Sequence, residues 1–317
     1  MEESEVISLS NNSGFPALSA VAITKEASAR EYWRIISNNE TYVLCFLDSA
    51  IGDHKAFEYV SKAFEANNIA ASTILLHHPE LGITIQSDLG DNSLLKALSN
   101  QNSDELMQQS VALLVSIQEV PNLSIPKLTK TDLMTQMQLF THSFCKHLLE
   151  LELDDSLLEL MEHTQEQLQS QVWANCHFDY ERRNLILTPG HQVAVIDYQD
   201  LCLGPVGIDL AGLLLDHYHE FDEKLIRSSL KTYQELSTLD HQEVDFFEVF
   251  RWGGIQRNLR ILGTLSKISI DSGQDFRLQD LPMILSNLLR LIPKSWSCHH
   301  YLSSIVQPAL EKKLLAL

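Results

Sequence analysis

Five side chains able to do chemistry fall within one short stretch: His177, Asp179 and Asn184 in "NCHFDYERRNLIL", then Asp197 and Asp200 in "VAVIDYQDLCLGP". Each stands beside apolar residues that favour burial. Carboxylates in such surroundings are costly unless a counter-charge sits against them, and the candidates are an arginine or a metal ion. The spacing is H-x-D-x-x-x-x-N, followed by a strand, a turn and a second strand ending in Asp197. Phosphoryl transfer from ATP requires this inventory: one carboxylate to accept the proton of the substrate hydroxyl, and an amide with a second carboxylate to hold Mg²⁺ against the phosphates. Asp179 is read as the base, and Asn184 with Asp197 as the metal ligands. His177 is read as a hydrogen-bonding support of the loop. The competing reading pairs the same carboxylates with Arg182 and Arg183, or uses them to cap turns.

Such residues need a scaffold, and the pattern supplies two kinds. Residues 1–89 read as a β-rich lobe around one helix, with "ALSAVAIT", "EYWRIIS", "TYVLCFL", "STILLHH" and "LGITIQS" as strands, rich in β-branched and aromatic residues. "DHKAFEYVSKAFEANN" is helical, with Asp53 as N-cap and Phe57, Val60 and Phe64 at helical spacing. "DLGDNS" breaks the pattern and marks the connector. Residues 90–317 turn to long amphipathic segments, interrupted by a hairpin in which "NLILT" and "QVAVIDY" flank "PGH". The polar start "MEESEVISLSNNSG" is left outside the fold.

The chain has 317 residues, 44% of them hydrophobic, enough for one large domain or two lobes. Its net charge of −19 argues against a nucleic-acid partner, which demands a basic face. No apolar run reaches the roughly 20 residues that span a bilayer. The N-terminus lacks a secretory pattern, and five scattered cysteines fit reduced, buried thiols. A cytoplasmic protein without a membrane partner is the expectation.

The chain resembles the aminoglycoside phosphotransferase and choline kinase branch of the protein-kinase-like superfamily, and is most similar within it to bacterial kinases of the anomeric hydroxyl of N-acetylmuramate and N-acetylglucosamine. "ASAREYWRI" resembles that group's nucleotide loop, "ITIQSDLG" its hinge strand, and "HFDYERRNLI" with "VIDYQDLCLGPVGIDL" its catalytic and metal segments. "GGIQRNLRILGTLSKISIDSG", followed by "LQDLP", resembles its C-terminal signature. The resemblance implies an α+β, two-lobed protein-kinase-like fold with a small antiparallel N-lobe and a larger helical C-lobe. It also implies ATP and Mg²⁺ as cofactors and a small hydroxylated acceptor, with an amino sugar first and an aminoglycoside, choline or a related metabolite second. A non-catalytic pseudokinase is a third reading. Ser28, Arg30 and Arg34 fall where that group's nucleotide-binding serine and arginines stand, and Ser87 with Asp88 fall at the hinge that holds adenine. Arg183, Asp200, Gln136, Gln138, Gln256 and Arg257 are candidates for touching or supporting the acceptor, and Arg260 shares that choice. Asp209 is expected to orient the catalytic loop.

The chain departs from protein kinases in two places. "TKEASAREYW" has no glycine, and Cys45 stands near where the third strand carries a lysine. Arg30 or Arg34 is expected to supply the missing positive charge, and Glu58, without that lysine, a surface role. Gln136 and Gln138 stand where the sugar kinases tend to be acidic; an amide can bond a sugar hydroxyl but brings no charge.

Overall fold

The polar start is helical. In the computed structural model, which describes residues 1–23, 29–99, 101–219, 221–239, 244–273 and 275–316, α1 spans Glu3–Asn12. Val6 and Ser10, one turn apart, are buried on one face. Val6 joins Ala20, Trp33, Ile35, Leu44, Ile83 and Ile85 in one cluster. The Glu5 carboxylate accepts the Glu2 amide at 2.8 Å, and the Met1 ammonium pairs with Glu31 at 2.8 Å. So few apolar positions give a weak helical signal, which is why the sequence left this segment out.

The chain forms two compact units. The first comprises Met1–Asn100, Val120–Leu123 and Arg183–Leu201. After α1 come β1 (Ser19–Ala22), β2 (Glu31–Ser37), β3 (Glu40–Phe46), α2 (Lys55–Ala66), β4 (Ile74–His78), β5 (Ile83–Ser87) and α3 (Leu94–Ala97). The strands make an antiparallel sheet in the order β1-β2-β3-β5-β4. Trp33, Ile35 and Ser37 alternate inward along β2. Asn38 and Asn39 both have positive φ, which gives the tight two-residue turn that asparagine tolerates. Gly82 opens β5 at φ +64, and a Cβ there would lie 2.4 Å from the Leu47 carbonyl oxygen. Helix α2 begins after His54 rather than Asp53, although the Asp53 carboxylate accepts the Lys55 amide at 3.0 Å.

The second unit comprises Gln101–Glu119, Ser124–Arg182 and Cys202–Leu317. It opens with α4 (Ser103–Gln118), α5 (Lys130–Leu139), a π-helical turn (Phe140–Leu148), α6 (Ser156–Ser170) and β6 (Trp173–Cys176). The chain then re-enters the first unit as the hairpin β7 (Leu185–Leu187) and β8 (Val193–Val195). The first unit thus runs on to Asn100 and includes residues 120–123 and 183–201. Strand β9 (Cys202–Pro205) returns to pair with β6, a two-stranded ladder that the sequence pattern did not announce. Then follow α7 (Gly207–Leu214), α8 (Glu223–Leu236), the long α9 (Phe246–Ser272), α10 (Leu281–Leu291), α11 (Ser297–Tyr301) and α12 (Gln307–Leu314). Helices α7 and α9 cross with almost no space: a Cβ on Gly253 would lie 2.0 Å from the Gly207 carbonyl oxygen. Among the described residues no helix is long and apolar enough to cross a membrane.

Candidate active site

Strand β6 delivers the loop that carries Asp179. Asp209, fully buried in the first turn of α7, accepts the amides of His177 at 2.7 Å and Phe178 at 2.8 Å. Burial pushes its carboxyl above the usual range. Its expected orienting task thus takes the form of two main-chain hydrogen bonds. Phe178 has φ +74, a left-handed conformation that costs a bulky residue on the order of 1–3 kcal/mol and persists only where neighbours enforce it. His177 is 1% exposed and packs edge-on against Tyr180, whose hydroxyl donates to the Ser110 carbonyl at 2.7 Å. Its ring is thus packed inside the loop.

Helix α9 faces this loop with two arginines. Arg260 donates to Asp179 Oδ1 at 2.9 Å and to the Phe178 carbonyl at 3.2 Å, and its guanidinium lies 4.1 Å over the Phe178 ring. Arg257 is 2% exposed and pairs with Glu181 at 2.7 Å. Burial alone would raise the Asp179 carboxyl. The charges of Arg260 and Arg257, the Arg260 hydrogen bond and the charge of His177 outweigh it and bring the group down to about 2. The side chain of Asp179 keeps half its surface open. Arg182 turns inward to Asp216 at 3.1 Å and to the Leu213 carbonyl at 3.2 Å, so it is not the partner of a candidate catalytic carboxylate. Gln256 is fully buried and donates to Gln136 Oε1 at 2.8 Å. Both Arg257 and Gln256 are buried with a side-chain partner, an arrangement compatible with bracing. Gln136 and Gln138 are half-buried on α5, ahead of the π-helical turn.

The first unit holds the remaining candidates. The hairpin brings Asn184 and Asp197 to adjacent ends, with the Ile196 amide donating to the Asn184 carbonyl at 2.9 Å. Asp197 has φ +64, a conformation aspartate tolerates better than most residues. Gln199, which the spacing did not single out, donates its amide to Asp197 Oδ1 at 2.8 Å and to Asp200 Oδ2 at 3.4 Å. Tyr198 fixes the segment: its hydroxyl donates to the Ser72 carbonyl, and its ring packs 4.8 Å from Phe57 and 4.9 Å from Phe64. Asp200 is exposed, and Arg183 is half-buried at the start of the hairpin.

Arg34 and Asp88 bind each other. Arg34 Nε lies 2.6 Å from Asp88 Oδ2 and Nη2 lies 3.0 Å from Oδ1, while Nη1 reaches Asp91 at 2.9 Å. Burial would raise the Asp88 carboxyl, but the Arg34 bonds lower it. This fork commits Arg34 to the end of β5. The Ser87 amide donates to the Thr73 carbonyl, and its hydroxyl accepts the Thr73 amide, each at 2.9 Å. Cys45 is fully buried in a row Tyr32–Cys45–Thr84–His77 across β2, β3, β5 and β4. Burial pushes its thiol up to about 12, while the charge of Arg30 pulls it down and that of Asp197 adds to the rise. Glu58 lies partly buried and binds His77 at 2.7 Å and Lys62 at 2.6 Å, so it anchors α2 to the edge strand rather than only facing solvent. Ser28 lies outside the described residues.

A hard divalent ion takes oxygen donors and keeps part of its shell for water and phosphate. Asn184 and Asp197 offer such oxygens. Gln199 Oε1, buried and without a hydrogen-bond partner, adds a polar atom beside them. Among the described residues no three histidine, cysteine or acidic side chains converge as a closed metal cage. The oxygens of Asn184 and Asp197 are donors of the kind a hard divalent ion takes.

The family model described as "APH: Phosphotransferase enzyme family" matches residues 19–247. This chain belongs to that family. The phosphotransferase is 26% identical over 282 residues to N-acetylmuramate/N-acetylglucosamine kinase of Neisseria meningitidis serogroup B, a match covering 84% of this chain and 83% of the relative. It is also 26% identical over 279 residues to the protein of the same name from Pseudomonas aeruginosa, covering 84% and 82%. Among solved structures, choline kinase LicA from Streptococcus pneumoniae superposes with a TM-score of 0.66 at 13% identity, covering 90% of this chain and 99% of that one. Spectinomycin phosphotransferase APH(9)-Ia superposes at 0.64 with 12% identity, covering 99% of each. At these identities the likeness establishes the protein-kinase-like α+β fold. Family and relatives together make the chain an enzyme that moves a phosphoryl group to a hydroxyl.

Proposed function

We propose that this phosphotransferase uses ATP and Mg²⁺ to phosphorylate a hydroxyl of an amino sugar, with N-acetylmuramate and N-acetylglucosamine as first candidates. The observation that carries the reading is the H-x-D-x-x-x-x-N loop and its following aspartate, in a chain whose curated relatives are named for those two sugars. Asp179 accepts the hydroxyl proton, and its arginine neighbours keep it ionised. Asn184 and Asp197 hold the metal, which neutralises phosphate charge when bound. Gln199 steers the Asp197 carboxylate. Arg30, whose charge is felt at Tyr32 and Cys45, is favoured over Arg34 as the stand-in for the strand lysine, because Arg34 is spent on two aspartates.

Choline and aminoglycosides are cations, and the structural neighbours make them the second class to test. Arg260 and Arg257 near Asp179 oppose a cation at that position. The deciding experiment incubates the protein with Mg–ATP and a panel of neutral, anionic and cationic acceptors. The reading requires a phosphorylated amino sugar with the highest kcat/KM. A preference for choline or an aminoglycoside overturns the acceptor class, and a folded protein inert with every acceptor overturns the reading itself.

A further inference from the structure

We propose that Arg260 is a positioning residue of the transfer step, fixing the direction of the Asp179 carboxylate by clamping two consecutive residues of its loop. The inference rests on the reading of Asp179 as the base. Arg260 uses one guanidinium in three ways: a charged hydrogen bond to Asp179 Oδ1 at 2.9 Å, a second bond to the Phe178 carbonyl at 3.2 Å, and a cation–π contact 4.1 Å from the centre of the Phe178 ring. From the opposite side Asp209 holds the Phe178 amide at 2.8 Å. The left-handed Phe178 peptide is therefore gripped at its amide, its carbonyl and its ring, and the next side chain along is Asp179. Both bonds leave one nitrogen, Nη2, of a planar group that can also lie against an aromatic face; an ammonium offers the charge without that planar group.

The neighbouring residues do not duplicate the task. Arg257 is spent on Glu181, and Arg182 on Asp216. The helix that carries Arg260 is itself fixed, because α9 crosses α7 at the Gly253–Gly207 contact, and α7 carries Asp209. One crossing thus sets both halves of the grip, and the carboxylate direction follows from two rigid helices rather than from the loop.

The test compares wild type, Arg260→Lys and Arg260→Ala with Mg–ATP and N-acetylglucosamine. Misplacing a reacting group by about 1 Å costs on the order of 100-fold in rate. Arg260→Ala is accordingly expected to lower kcat by about that factor, with KM for ATP unchanged within about twofold and the melting transition kept. Arg260→Lys, which keeps the charge and loses the planar group over the Phe178 ring, is expected to fall between the two. Millimolar guanidinium is expected to restore part of the Arg260→Ala rate in a saturable way. A kcat for Arg260→Ala close to wild type, or a rise in acceptor KM at constant kcat, overturns the proposal, the latter because Arg260 would then be touching substrate. If wild type itself phosphorylates no acceptor, the functional reading fails instead. The clamp is then judged by hydrogen exchange over residues 176–182, where unchanged protection in Arg260→Ala overturns it. If Arg260→Ala does not fold, Arg260→Gln replaces it in both measurements.

Discussion

Asp179, in the second unit, meets a guanidinium at 2.9 Å, whereas Asp197, in the first, meets a neutral amide at 2.8 Å. The surroundings follow suit. Around Asp179 the second unit gathers Arg260, Arg257 and His177, all of which favour the ionised carboxylate. Around Asp197 the first unit supplies the Gln199 amide and the ring and hydroxyl of Tyr198, which fix the main chain and add no charge. Among the described residues Asp179 thus has a guanidinium as its counter-charge, whereas the side chain that bonds Asp197 is a neutral amide, which suits the proposed role of Asp197 as a metal ligand. A carboxylate already paired is ready to accept a bond from a hydroxyl, while one without a protein cation is suited to a metal.

Asp179→Asn should break this division hardest. Transfer is expected to drop by on the order of 10³-fold while nucleotide binding, read by thermal shift, persists. Loss of fold would instead make the aspartate structural. Asp197→Asn is next: about a 100-fold loss of kcat/KM together with a lost metal dependence of nucleotide binding. An Asp197→Asn protein that still binds nucleotide in a metal-dependent way would contradict the assignment.

Breaking the Arg257–Glu181 pair tests the second unit's side of the comparison through stability. Removing one partner of a buried ion pair costs about 3–5 kcal/mol, whereas an apolar pair of similar volume is often neutral. Glu181→Leu is therefore expected to lower the urea midpoint strongly, and Glu181→Leu with Arg257→Met to recover much of it. Equal losses in the single and double variants would deny the pairing. Tyr198→Phe probes the first unit more gently, with an expected cost of about 1 kcal/mol for the lost bond to Ser72.

A separate test concerns acid. His217 lies against Arg277 at 2.9 Å, and burial, then the charge of Arg257, lower its pKa from 6.5 to about 4. The unfolded chain binds this proton first, so the stability linked to it is intact above about pH 6.5 and is lost as pH falls toward 4. Unfolding midpoints at pH 7 and pH 5 should differ, and His217→Gln should narrow the difference. An unchanged difference would place the acid sensitivity elsewhere.

What the sequence revealed follows from how far apart the partners lie. Asp179, Asn184 and Asp197 share one loop and one hairpin, so their spacing survives as a local pattern. The sheet strands and α2 were readable from periodicity for the same reason. Arg34 was open to a phosphate-binding reading because Asp88, its partner, lies 54 residues away. Arg260 stands 81 residues from Asp179, and no spacing rule links them. Tyr198 read as one more strand residue because its seat, between Phe57 and Phe64, is built by a distant helix. The β6–β9 ladder escaped notice because each strand has four residues and pairs across the whole hairpin. Helix α1 escaped because its stability comes from the sheet beneath it more than from its own composition.

The most direct test of the central claim, a protein-held base beside metal-dependent phosphoryl transfer to an amino sugar, is a ³¹P NMR time course with ATP and N-acetylglucosamine, run with Mg²⁺ and again with excess chelator. The account predicts a new sugar phosphomonoester signal that grows with Mg²⁺ and is abolished by the chelator. No such signal in either sample, or equal signals in both, would contradict it.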